Sequence, residues 1–145
     1  MAEHQHREVG FCDIGDLVII RHDGAPYSLL NQAMSVVIIE SLLNPFLTIR
    51  ITISDAVGLI ESLPIIGEEH IYIEFKTKSD EFNYVKKFFR LQGIDTRVKA
   101  KSRLDVFDIV GISPEYFASR QKTVDNSFQG VTPSDIATNI FHEYM

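Results

Sequence analysis

The sequence has a single cysteine, Cys12, no tryptophan, and no apolar run near the ~20 residues that a membrane-spanning helix needs. One thiol excludes an intrachain disulfide, which favours a reducing compartment. The compact apolar runs, Leu17–Ile20 and Val36–Ile39, have the length of strands. The first ten residues contain no hydrophobic signal core. We therefore expect assembly in a cytoplasm and no membrane insertion.

Short catalytic motifs are also lacking. The sequence has no phosphate-binding glycine loop, no H-E-x-x-H, no C-x-x-C and no G-x-S-x-G. The His4-Gln5-His6 segment has too few neighbouring ligands for a metal and fits a polar tail. Many sequences have carboxylates near turns, as this one has at Asp55 and Glu69, so they are weak evidence for catalysis. Two such groups across a cleft can nevertheless hydrolyse glycosides. We predict no catalytic residue, cofactor or metal, and keep a small hydrolase as an alternative.

The composition is that of one globular domain. The chain has 145 residues, of which 45% are hydrophobic and 23% charged. Its net charge of −6 argues against wrapping duplex DNA or lying on anionic lipid. Basic residues cluster between Lys86 and Arg103, which indicates a solvated hairpin face or a contact with an acidic neighbouring subunit. Interleaved aromatic residues favour core packing over a platform for single-stranded nucleic acid.

The most regular pattern is a strict alternation over Phe46 to Asp55. One face carries Leu47, Ile49, Ile51 and Ile53, and the other Thr48, Arg50, Thr52 and Ser54. A period of two predicts a strand with one buried and one wetter face. Further strands are predicted over Asp16–Arg21, Val36–Leu43 (closed by Asn44–Pro45), Glu68–Lys78, residues 82–94 and Leu104–Ile112. In the strand Glu68–Lys78 the outward residues are Tyr72, Glu74 and Lys76.

The connecting segments complete a mainly β domain. We predict a flexible arm over residues 1–14 and one domain over 15–145. Residues 25–35 are expected to form a loop or short helix, and Asp55–Gly67 a connector whose apolar residues cap an open end of the sheet. Residues 79–81 are a predicted turn and Asp95–Arg103 a hairpin tip, which together suggest an antiparallel meander. Helix-start residues predict helices over 114–121 and from Ile136 onward, with a short strand over Thr123–Gln129 between them.

Two parts of the sequence contain short motifs in a defined order. The first contains an acidic E-S step, a proline, an alternating strand, a Leu-Pro-hydrophobic-hydrophobic-Gly-Glu loop and a second alternating strand. These features are Glu40–Ser41, Pro45, Ile51–Asp55, Leu63–Glu68 and Ile71–Thr77. The second contains Ile112–Phe117 (ISPEYF), then Ser127–Gly130 (SFQG) and Pro133–Ile136 (PSDI). In these motifs the sequence resembles the N-terminal domain of tail-hub (baseplate hub) proteins of contractile-tailed phages; the resemblance covers residues 36–144, and its specificity lies in the order and spacing of the motifs.

The resemblance implies an antiparallel β-barrel or sandwich of tail-tube type, flanked by short helices. It also implies a structural role in the virion: a homo-oligomeric, trimeric ring that joins the tail-tube protein to the spike protein. DNA would pass its lumen without specific binding. Hubs of this family usually continue into a second tube-like domain, whereas this sequence stops at Met145 within the final helix pattern. The sequence is therefore expected to be the N-terminal part of a larger hub, to assemble with a second domain supplied by another chain, or to form a ring of different stoichiometry.

The outward-facing residues of the predicted strands are the candidate interface: Arg50, Tyr72, Glu74, Lys76, Lys86 and Arg90. Ring closure would also cover strand edges that are otherwise free to aggregate. Two alternatives besides the hydrolase stay open. One is another tail part, such as a tube or baseplate-wedge subunit, and the other is a free-standing carbohydrate-binding module.

Overall fold

The computed structural model describes residues 12–63, 65–77, 84–101 and 104–144. In these ranges the chain forms seven strands and three helices. In order they are β1 (Cys12–Ile20), β2 (Pro26–Ser28), β3 (Ala33–Ser41), β4 (Asn44–Asp55), α1 (Leu59–Ser62), β5 (His70–Thr77), β6 (Val85–Lys101), β7 (Leu104–Ile112), α2 (Pro114–Gln121) and α3 (Pro133–Tyr144). The prediction of a mainly β protein with short helices is confirmed.

All seven strands belong to one antiparallel sheet in the order β2-β1-β5-β6-β7-β4-β3. Consecutive strands β5, β6 and β7 form the predicted meander, while β1–β2 and β3–β4 are separate hairpins. The chain leaves the sheet after β4 and rejoins it at β5, so it passes the ends of β6 and β7. β2 and β3 are the outermost strands of the described sheet.

The predicted facing of β4 is confirmed. Ile49, Ile51 and Ile53 are fully buried, whereas the intervening Arg50 and Thr52 are only partly so. The same alternation on neighbouring strands builds one apolar core. Its largest fully buried members are Phe89, Phe107, Leu17, Ile19, Leu29, Ile49, Ile51, Ile53, Leu59, Ile71, Ile73 and Leu91.

The connector between β4 and β5 closes one end of this core, as predicted. Leu59 and Leu63 of the connector are buried and belong to the same apolar cluster as the strands. The carboxylate of Asp55 accepts hydrogen bonds from the backbone N–H groups of Val57 (3.0 Å), Gly58 (2.9 Å) and Leu59 (2.6 Å). These bonds satisfy donors that begin α1 and would otherwise lack an intrahelical partner. The connector is therefore held against the sheet by a polar anchor and two apolar ones.

β1 and β3 lie near opposite ends of the strand order, yet both border one cavity of about 440 Å³. The sheet must therefore be strongly curled to bring them together. We call this space the seam cavity. It is lined by Cys12, Ile14, Val36, Ile38, Glu40, Ile73 and Phe75. β2 pairs only with Val18–Ile20 of β1, so the earlier residues of β1 have no strand on that side among the described residues.

Near the N-terminus the structure corrects two predictions. β1 begins at Cys12, three residues inside the predicted arm, because Cys12–Ile14 pair with Phe75–Thr77; the rest of the arm lies outside the described residues. Residues 25–35 form no helix. A turn between Arg21 and Ala25, with Gly24 at φ 81°, reverses the chain and places Pro26–Ser28 beside β1.

The β3–β4 hairpin also differs from its prediction. The strand β3 ends at Ser41, and the reversal uses Leu42 and Leu43 instead of Asn44–Pro45. Asn44 pairs with Ser41, and Pro45 lies within β4. Proline is tolerated there because Pro45 precedes Thr48, the first residue of β4 that pairs with β7.

The predicted hairpin tip at Asp95–Arg103 is wrong for its described residues. β6 continues through Lys101 and pairs with β7, with irregular register between Asp95 and Val98. Charged side chains do not prevent ladder pairing when they point to solvent. The predicted strand over Thr123–Gln129 is also wrong, since this stretch has irregular backbone. The turn predicted at 79–81 lies outside the described residues, while helices α2 and α3 are confirmed.

Candidate assembly surface

Four of the six predicted interface residues lie together on the outer face of β5 and β6. Tyr72 pairs across the ladder with Phe88, and Glu74 with Lys86. The Tyr72 hydroxyl donates to Glu74 Oε2 at 2.6 Å, and Lys86 Nζ lies 3.6 Å from the same oxygen. Lys76 extends the group toward β1, with its Nζ 3.8 Å from Asp13 Oδ2. We call Tyr72, Glu74, Lys76, Lys86 and Phe88 the outer ladder.

Phe88 is the member of the outer ladder that sequence reasoning missed. Its ring is 52% exposed, and its centroid lies 4.8 Å from that of Tyr72. The hydrogen bond to Glu74, helped by burial and by the negative charge itself, raises the pKa of Tyr72 to about 12. Tyr72 therefore stays neutral at physiological pH. The result is an aromatic pair, half-buried at Tyr72 and exposed at Phe88, beside opposite charges. Aromatic residues of this kind are enriched in protein interfaces, whereas lysine and glutamate are depleted from the interface core.

Arg90, the fifth predicted residue, is engaged by α2. Its guanidinium carbon lies 4.7 Å from the ring centroid of Phe117 on that helix. Its Nε atom is buried and has no hydrogen-bond partner among the described residues. Cation–π packing of this kind stabilises a helix on a sheet, so Arg90 anchors α2 to the outer face and is poorly placed to reach another subunit.

Arg50, the sixth, lies apart from the others in a polar cluster across β4, β7 and β6. Its Nη1 is 2.9 Å from Asp108 Oδ2 and 3.4 Å from Asp95 Oδ2. Thr52 donates to the other oxygen of Asp108 at 2.8 Å. The hydrogen bonds from Thr52 and Arg50 lower the pKa of Asp108. Arg50 is thus satisfied within its own chain.

A second polar cluster surrounds a cavity of about 370 Å³ at the α1 end of the sheet. Arg97 Nη2 lies 2.7 Å from Glu61 Oε1 and 2.7 Å from Asp105 Oδ2. The hydrogen bond from Arg97 lowers the pKa of Glu61. Part of the basic stretch between Lys86 and Arg103 is therefore neutralised by acidic residues of the same chain.

The carboxylates considered for a hydrolase are buried and bound to backbone. Asp55 caps α1 as described, and Glu69 accepts from the N–H groups of Ile66 and Gly67, both at 2.8 Å. Burial acts to raise the pKa of Glu69, but these backbone hydrogen bonds and the nearby His22 outweigh it and hold that pKa below its usual value. Both side chains organise the connector between β4 and β5.

Metal-type ligands do not gather in the described ranges: no group of three or more His, Cys, Asp or Glu side chains there could hold an ion. Among the helices of those ranges, none is long and apolar enough to cross a membrane.

The outer edge of the sheet carries a surface that the sequence prediction left out. β3 is apolar on both faces: Val36 and Ile38 turn toward the core, while Val37 and Ile39 are 45% and 52% exposed. The hairpin tip that follows is fully exposed at Leu42 and Leu43. The apolar run Val36–Ile39 could have predicted this surface, because hydrophobic residues on both faces are typical of a strand that is buried on both faces.

No protein-family model matches the chain, and no curated protein matches it with significant sequence similarity.

Proposed function

We propose that the chain is a structural subunit of a phage tail baseplate hub, forming a ring that joins the tail tube to the central spike. The observation that carries the proposal is the exposed apolar surface of the edge strand β3. This strand is apolar on both faces. One of its edges pairs with β4, and its other edge pairs with no described strand. The order and spacing of the hub-like motifs supply the identity of the assembly.

An edge strand of this kind is a hazard for a free-standing protein. Soluble proteins usually shorten such edges or place charge, proline or bulges on them. β3 has nine residues, and its exposed side chains include Met34, Val37 and Ile39. Only Glu40 within it is charged, and its two register irregularities lie near its ends, outside the apolar run Val36–Ile39. Covering this edge and its outer face with a neighbouring subunit would remove the hazard, as ring closure does.

The curled sheet and its polar outer face fit a tube-type subunit. The outer ladder offers an aromatic pair and paired charges for a neighbouring ring or subunit. A chain of net charge −6 would repel DNA passing through the lumen. The trimeric stoichiometry is part of this proposal and follows from the hub resemblance.

The test is immunogold electron microscopy of intact tailed particles, with an antibody raised against this chain. The hub proposal predicts gold at the junction of tube and baseplate. Gold spaced along the tube would make the chain a tube subunit, and gold at the baseplate periphery a wedge subunit. Particles without label, in a preparation where the tube protein is labelled by its own antibody, would contradict the assembly function.

A further inference from the structure

We infer that Leu42 and Leu43 at the β3–β4 tip of one copy insert into the seam cavity of a second copy. The inference rests on the proposed assembly function and names the contact that builds it. It follows from two apolar features that the described chain leaves unpartnered, one protruding and one recessed.

The protruding feature is a pair of leucines in a tight turn. Ser41 pairs with Asn44, which leaves Leu42 and Leu43 as the two connecting residues. Their relative exposures are 107% and 97%, the highest among the exposed large hydrophobic residues of the described chain. Two-residue hairpin turns favour asparagine, aspartate and glycine, so chain reversal does not explain two leucines.

The tip is also held in shape before any contact forms. Leu43 N–H donates to Ser41 Oγ at 3.2 Å, and Phe46 N–H donates to Asn44 Oδ1 at 3.3 Å. Side-chain-to-backbone bonds of this type fix a turn locally. A preformed turn loses less conformational freedom on binding than a free loop does, which favours its use as an anchor.

The recessed feature is the seam cavity. Of the seven described residues that line it, five are aliphatic or aromatic: Ile14, Val36, Ile38, Ile73 and Phe75. Its volume is about 440 Å³. It opens between the start of β1 and the edge of β3, which are not paired with each other by described residues.

A second copy is the occupant that these features select. Every copy carries both the tip and the cavity, and the full exposure of Leu42 shows that its own cavity does not hold it. Tip and cavity are different surfaces, so one copy can place its tip in one neighbour and receive the tip of another, and such heterologous contacts form a ring when the rotation between copies closes. The contact would also bring the partner close to the free edge of β3.

Cys12 provides a direct test, because it lines the cavity and is the only cysteine of the chain. In the variant Leu43→Cys, mild oxidation of the purified protein should give an interchain disulfide between Cys12 of one copy and the thiol introduced at position 43 of another. Non-reducing electrophoresis and peptide mass spectrometry would detect it. Val57→Cys and Ile66→Cys are matched controls, since Val57 and Ile66 are 70% and 60% exposed but lie in the connector. We expect their interchain products to form at least roughly tenfold more slowly.

A second measurement does not depend on disulfide chemistry. Leu42→Ser with Leu43→Ser should raise the dissociation constant of the native oligomer roughly tenfold or more, measured by native mass spectrometry over a dilution series. Val57→Ser with Ile66→Ser should leave it unchanged. An unchanged oligomer in the Leu42/Leu43 variant would overturn the inference.

Other occupants give different results, each of which overturns the inference. Equal oxidation rates at positions 43 and 57 would mean that the tip has no preference for the cavity. An intrachain disulfide between Cys12 and the thiol at position 43 would mean that each copy fills its own cavity. If the interchain product appears only after residues 1–11 are deleted, those residues are the occupant. Immunogold at the baseplate without the disulfide would refute the contact alone, whereas the disulfide with unlabelled particles would refute the hub function alone.

Discussion

Asp55 shows how one buried carboxylate determines the local path of the chain. It is 4% exposed and receives three backbone hydrogen bonds where β4 ends and the connector begins. We expect Asp55→Ala to lower the free energy of unfolding by about 2–3 kcal/mol, because three backbone donors, of which that of Leu59 is buried, lose their acceptor. Urea unfolding followed by circular dichroism would measure this. Glu68→Ala, at an exposed position of the same connector, is the control, and an equal effect there would contradict the capping role.

Glu69 makes a stability contribution that depends on pH. Its pKa is lower in the folded protein than the ordinary 4.5, so its stabilisation is complete above that ordinary value and is lost as the pH falls through the folded value. At pH 7, Glu69→Gln should cost about 1–3 kcal/mol. The difference between wild type and variant should shrink as the pH is lowered below 4.5. A gap in unfolding free energy that stays constant with pH would show that the charge on Glu69 is not what stabilises the connector.

Sequence reasoning located candidate residues on the correct face but did not assign their partners. Alternation alone placed Tyr72, Glu74 and Lys76 outward. It could not show that Arg50 is satisfied by Asp108 or that Phe117 covers Arg90, because both contacts join residues distant in sequence. Partners of this kind depend on strand register and helix docking, which no local pattern specifies.

At the scale of elements, strands with a strict period of two were predictable and their ends were not. β4 and β7 match their predicted spans closely, since both alternate between a buried and a wetter face. The β3–β4 turn was placed two residues too late because proline was taken as the stop. The strand predicted over residues 82–94 was ended too early, because the charges of Asp95–Arg103 were taken as a hairpin tip, whereas β6 continues through Lys101. In both places the ladder partner, rather than the local sequence, decides where the strand ends.

Gly111 tests the packing of the meander against β4. A methyl group there would come within 2.9 Å of Ile49 Cγ2 and of Ile71 Cδ1, and 3.1 Å of Phe89 Cβ. Gly111→Ala should therefore destabilise the protein by about 1–3 kcal/mol, as overpacking of a well-filled core does. Thermal unfolding by differential scanning calorimetry is the measurement.

Gly93 supplies the matched control in the adjacent strand. It pairs with Val110, next to Gly111 on β7, and no atom outside its chain neighbours lies within 4 Å of a methyl group placed there. We expect Gly93→Ala to be neutral or slightly stabilising, by less than about 1 kcal/mol. Equal destabilisation by both variants would show that the strands, not the core contact, need glycine.

At the scale of the whole molecule, the outer ladder should matter for assembly and not for folding. Lys86→Glu places a second carboxylate beside Glu74, on an exposed position where ion pairs contribute little to stability. We expect an unchanged melting temperature and a smaller oligomer by light scattering. Lys99→Glu, an exposed lysine at the other polar cluster, is the control and should leave the oligomer intact. An oligomer of the same size in both variants would show that the outer ladder is not part of the interface.

The most direct test of the hub function is cross-linking mass spectrometry on intact tailed particles. We predict cross-links from the sheet, residues 33–112, to the tail-tube protein and to the spike protein, together with links between copies of this chain. Cross-links confined to copies of this chain and to tube protein along its length would make it a tube subunit. Complete absence of its peptides from particles in which tube and spike proteins are recovered would contradict the hub function.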